Sequence, residues 1–101
     1  MAEWIRAAKE TDLADGSGVE FEAGGKKVAL FRADGKFYAT DNTCPHRGGP
    51  LAQGSLDGLV VTCPWHAWGF DVKSGACLAV PAAKIKTYEV KVEDGNIFVQ
   101  V

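Results

Sequence analysis

Thr87-Tyr88-Glu89-Val90-Lys91-Val92-Glu93-Asp94-Gly95-Asn96-Ile97-Phe98-Val99-Gln100-Val101 is the stretch whose alternation decides the fold class. Tyr88, Val90 and Val92 fall on one beat, and Glu89, Lys91 and Glu93 fall on the other. Successive side chains of a strand point to opposite faces. A period of two with charges on the off-beat therefore describes a half-buried antiparallel strand. Asp94-Gly95 supplies the turn, because a two-residue type I′ hairpin needs positive φ at both central positions. Working outward, the same device recurs at Asp34-Gly35, between the apolar runs 27–32 and 36–40. Further β runs are predicted at 3–8, where Trp4-Ile5 stands without a helix cap, at 18–22 after Asp15-Gly16-Ser17, and at 59–62 after Asp57-Gly58. No segment carries a helical stripe. The reading is all-β, an antiparallel sandwich or barrel interrupted by two long loops at 41–55 and 63–76.

Length and composition narrow the function classes. A chain of 101 residues predicts a single domain over 1–101, burying about 65% of its unfolded surface. With 47% apolar and 24% charged residues it is neither disordered, collagen-like nor a coiled coil. Apolar runs such as 28–31 stop far short of the roughly 18 residues a membrane helix needs. Residues 1–10 hold two acids, two bases and no apolar h-region, so the expected location is cytoplasmic. Eleven Lys+Arg against 13 Asp+Glu leave a net charge of −2, and no basic run exceeds Lys26-Lys27. Nothing here would collect phosphates, which excludes nucleic acid and anionic membrane as partners.

The chemistry sits in the two loops. Three cysteines, Cys44, Cys63 and Cys77, form no even disulfide framework, and both histidines lie within three residues of a cysteine. The first loop carries Cys44-Pro45-His46 and the second Cys63-Pro64-Trp65-His66, with 16 residues between them. Each loop thus offers one soft thiolate and one imidazole. In extended chain, positions i and i+2 project to one side; across a turn, i and i+3 do so. Pro45 and Pro64 stiffen the backbone after each cysteine, and Gly48, Gly49 and Gly69 allow close backbone approach with N–H groups turned toward anionic sulfur. The candidate metal ligands are Cys44, His46, Cys63 and His66. Two thiolates and two imidazoles also make a tetrahedral zinc set, giving a zinc-stapled interaction module as the alternative of another class. Zinc knuckles usually pair like with like, whereas both knuckles here are mixed.

These motifs resemble the Rieske [2Fe-2S] proteins, whose pattern is C-x-H, 15 to 17 residues, then C-x-x-H. The likeness runs through Cys44-Pro45-His46-Arg47-Gly48 and Cys63-Pro64-Trp65-His66-Ala67-Trp68-Gly69-Phe70-Asp71, with Gly75 and Pro81 beyond. It implies a Rieske-type fold with a small two-loop cluster-binding subdomain over about 41–82. It also implies that Cys44 and Cys63 hold one iron, that His46 and His66 hold the other, and that Pro81 lies in a loop covering a third side. Cys77 falls outside the motif and reads as a small buried hydrophobe. Trp65 and Trp68 read as packing that shields the site, with Trp68 also a candidate for a docking rim. Trp4 reads as core, and Arg47 as a surface charge or a partner contact.

Within that family, absences set the subtype. The positions of a bracing disulfide in cytochrome bc-type members are Gly49 and Trp65 here, and the positions of their Ser and Tyr hydroxyls are Trp68 and Phe70. Both histidines are committed to the cluster, leaving none for a mononuclear iron site, and no flavin or nicotinamide fingerprint is present. What the resemblance implies is a one-electron carrier, not an enzyme, with imidazole edges as the electron exit. It would be a monomer passing electrons from a flavin reductase to a terminal aromatic-ring oxygenase, or alternatively the small subunit of an assimilatory nitrite reductase. Without side-chain hydroxyls to stabilise the reduced cluster, a redox titration should place the midpoint near the low end of the Rieske range, roughly −150 mV. A strongly positive midpoint would contradict this.

Overall fold

The computed structural model describes residues 3–23, 25–43, 49–65, 68–78, 80 and 82–101. Within them lie β1 (Trp4–Lys9), β2 (Gly18–Ala23), β3 (Lys26–Ala33), β4 (Lys36–Asp41), β5 (Ser55–Asp57), β6 (Val60–Thr62), β7 (Gly69–Asp71), β8 (Thr87–Tyr88), β9 (Val90–Glu93) and β10 (Asn96–Gln100). Short 3₁₀ turns occupy Glu10–Asp12 and Leu51–Gln53. The strands form three antiparallel sheets, ordered β1-β10-β9, β2-β3-β4-β8 and β5-β6-β7. The all-β, antiparallel expectation holds.

Local chemistry accounts for the hairpins. Asp34 and Gly35 take φ of 52° and 76°, and Asp94 and Gly95 take 50° and 75°, so both Asp-Gly pairs carry the double positive φ of a type I′ turn. The β3–β4 and β9–β10 registers close tightly on them, at Ala33 opposite Lys36 and Glu93 opposite Asn96. Gly58, with φ of 61°, turns β5 into β6.

Packing is organised about β3. Val28, Ala29, Leu30 and Phe31 are all fully buried, so this strand is covered on both faces. Val28 and Leu30 meet Ile97, Val99, Tyr88 and Leu13 on the side of β1-β10-β9. Ala29 and Phe31 meet Leu51, Val61, Phe70 and Val72 on the side of β5-β6-β7.

Three expectations change. The predicted strand over 87–92 divides at Glu89, where β8 pairs with β4 and β9 with β10. Tyr88 and Val90 keep the same beat, so one segment feeds two sheets without losing its apolar face. The predicted loops shrink, because β5 and β7 lie within or beside them and are too short to display a period of two. Trp4 is not core: it is 39% exposed. The β1–β10 register sets Ile5 opposite buried Val99, which turns Trp4 to the outer face, where the Lys91 ammonium lies 4.5 Å from its ring centre.

Tyr88 ties the ends of β4 and β8 together by donating its hydroxyl to Asp41 Oδ1 at 2.6 Å. Burial, that hydrogen bond and the Asp41 charge all push its phenol pKa well above the ordinary tyrosine value. Ionisation is therefore easier in the unfolded chain, and stability should fall as pH rises past about 10. Melting curves from about pH 8 to about pH 11 should show wild type losing more stability than Tyr88→Phe. Parallel losses would refute the assignment.

Candidate metal centre

Both candidate ligand loops stand on paired bases. Thr43 bridges Pro50, leaving 44–49 between them, and Thr62 pairs with Gly69, leaving 63–68. Beneath the first loop Asn42 is buried. Its carbonyl accepts from Leu51 N–H at 2.7 Å, its Oδ1 accepts from Ala52 N–H at 2.9 Å, and its Nδ2 donates to Glu20 Oε1 at 2.5 Å. One side chain thereby fixes both limbs of the loop to β2. Sequence reading missed it, since Asp41-Asn42-Thr43 looks like any polar loop start.

The second loop closes by the Cys63 N–H donating to the Trp68 carbonyl at 2.8 Å. Asp71 then reverses the chain, its Oδ1 accepting from Lys73 and Ser74 N–H at 2.8 and 3.0 Å. That turn returns Cys77 to Phe70 and lets Leu78 N–H reach the Gly69 carbonyl at 2.9 Å. Cys77 is buried in the core, as its sequence context suggested, and its Sγ accepts from Val80 N–H at 3.4 Å.

Cys63 is 1% exposed, and Gly49 of the first loop lies directly against it. A Cβ placed on Gly49 would come within 2.6 Å of the Cys63 Sγ and 3.2 Å of Trp65 Cγ. The two loops are thus pressed together at the cysteine, nearer than any side chain would permit. Cys44, His46 and His66 lie outside the described residues, as do Pro45, Arg47, Gly48 and Pro81. Of the two tryptophans read as packing, Trp68 packs on the core around Phe70 as expected, whereas Trp65 is 63% exposed.

The Rieske [2Fe-2S] domain model matches residues 3–89. The chain belongs to the Rieske [2Fe-2S] family. It is 39% identical over 99 residues to the ferredoxin component of the naphthalene 1,2-dioxygenase/salicylate 5-hydroxylase systems of a Ralstonia species, covering 97% of this chain and 95% of that one. It resembles a chain in the complex of reduced oxygenase and oxidized ferredoxin of carbazole 1,9a-dioxygenase, with TM-score 0.87, 32% identity and coverage of 95% and 91%. A structure assigned as the small subunit of an NADH-dependent nitrite reductase from Mycobacterium tuberculosis superposes with TM-score 0.93 at 28% identity, covering 100% of this chain and 96% of that one.

This Rieske protein carries a single Rieske-type [2Fe-2S] cluster and is an electron carrier, not a catalyst. The zinc alternative gives way accordingly. The described residues fit the cluster: a buried cysteine sulfur, a glycine leaving room beside it, and two loops anchored at their bases. Burying a thiolate is costly without a compensating cation, and iron supplies one.

Removing Asn42 should loosen the base of the first loop. Asn42→Ala leaves the buried Ala52 N–H without its acceptor, so denaturant unfolding should show a loss of about 1–3 kcal/mol. An unchanged unfolding free energy would contradict that role.

Proposed function

We propose that Cys44 and Cys63 ligate one iron and His46 and His66 the other. In this reading the protein is a soluble, cytoplasmic, monomeric ferredoxin that takes single electrons from a flavin reductase and delivers them to a terminal aromatic-ring oxygenase. The observation that carries this reading is the likeness to a dioxygenase ferredoxin component along almost the whole length of both chains. Bound between the loops, the cluster supplies a site that gains and loses one electron. The chain's own residues hold the ligands still and offer a surface for brief docking. Trp65 within the second loop, and Leu78 and Val80 beyond it, are exposed apolar side chains. Such residues suit a small interface that forms and releases quickly.

The second reading, the small subunit of a nitrite reductase, is favoured by the TM-score of 0.93 with such a subunit. Reconstitution separates them. The holoprotein should support NADH-driven ring hydroxylation with a flavin reductase and a ring-hydroxylating oxygenase, and should not restore nitrite reduction to a large subunit lacking its partner. The reverse result would establish the second reading. Leu78→Asp should weaken oxygenase-coupled turnover by about tenfold without moving the midpoint potential. Undiminished turnover would remove Leu78 from the docking surface.

A further inference from the structure

We infer that Trp65, seated on Gly49, is a noncovalent clip that holds the two ligand loops together and keeps Cys63 in place, an inference resting on the reading of Cys63 as a cluster ligand. Gly49 is buried, yet it is absent from the glycines with positive φ. Backbone conformation therefore does not demand glycine here; space does. A Cβ at this position would lie 2.6 Å from Cys63 Sγ, 3.2 Å from Trp65 Cγ and 3.3 Å from Trp65 Cδ2. One residue of the first loop thus touches both the ligand atom and the indole of the second.

The Trp65 side chain fits this role. It belongs to neither core cluster, and 63% of it faces solvent. Its Cγ–Cδ2 edge is the part that lies nearest Gly49. Backbone bonds close each loop on itself, through Thr43–Pro50 for the first and Cys63–Trp68 for the second. The indole of the second loop, close against the bare Gly49 of the first, adds a contact between the two loops beside Cys63. Apolar packing on Gly49 excludes water beside the sulfur and resists separation of the loops.

The test uses purified holoprotein without redox partners, so any docking role of Trp65 has no bearing on it. Cluster loss to excess EDTA is followed by visible absorption. Trp65→Ala should release iron on the order of 10- to 100-fold faster than wild type, Trp65→Phe should recover much of the difference, and the far-ultraviolet unfolding midpoint should stay unchanged. Gly49→Ala should displace Cys63 and alter the electron paramagnetic resonance signal or the midpoint potential. If Gly49→Ala fails to fold, the two Trp65 variants still decide the matter. Equal release rates for wild type and Trp65→Ala would overturn the clip, as would a release matched by a parallel drop in the unfolding midpoint. Cys63→Ser separates the two levels of the argument. Retention of the native signal in that variant defeats the ligand reading itself, whereas loss of the signal beside a wild-type rate for Trp65→Ala defeats only the clip.

Discussion

Four consecutive side chains of β3, Val28 to Phe31, lose all contact with solvent, and the rest of the molecule is arranged around that fact. Because a strand alternates its side chains, a run buried without interruption must have a packed layer on each face. Val28 and Leu30 serve the layer built on β10, and Ala29 and Phe31 serve the layer that carries the two Cys/His loops. The loop-bearing sheet cannot stand alone, since its three strands have three residues each and sheets that small are marginal in water. It is held by Val61 and Phe70 packing with Leu51 against the Ala29–Phe31 face. Gly18, opposite Phe31 in β2, shows how closely that face is filled: a Cβ there would lie 2.7 Å from the Phe31 ring. The position of the two Cys/His loops is thus inherited from β3 through a core cluster that reaches Cys63 itself.

Much of this was legible in the sequence because it is local. Asp34-Gly35 and Asp94-Gly95 announced two hairpins whose backbone angles match the turn that those residues favour. The apolar run 28–31 and the paired Cys/His knuckles could be read by inspection. Illegible features were those set by distant partners. Strands of three residues such as β5 and β7 are too short to show a period. The division at Glu89 depends on which strand lies alongside, β4 before it and β10 after it. Alternation fixes that Trp4 and Ile5 face opposite ways, but only pairing with β10 determines which of them faces water. The same holds for Trp65 and Trp68, three residues apart in one loop, where tertiary contact alone assigns one to the core and the other to the rim. Asn42 carried no signal at all, because its worth comes from Glu20 and Ala52, 22 and 10 residues away.

An electron carrier faces two requirements that pull apart, and the structure separates them in space. The ligands must keep their geometry through a change of charge, which calls for deep anchorage. The partner must leave soon after it arrives, which calls for a shallow and modest contact surface. Anchorage comes from buried polar bonds at the loop bases, with Asn42 below the first loop and the Cys63 N–H bond to Trp68 within the second. In the proposed reading, contact falls to exposed apolar groups farther out, Leu78 and Val80, which belong to neither core cluster. A scaffold divided in this way can serve different acceptors by altering only its rim. That explains how dioxygenase ferredoxins and nitrite reductase subunits both superpose on this chain along nearly its full length, and why partner choice has to be argued from rim residues and not from the fold.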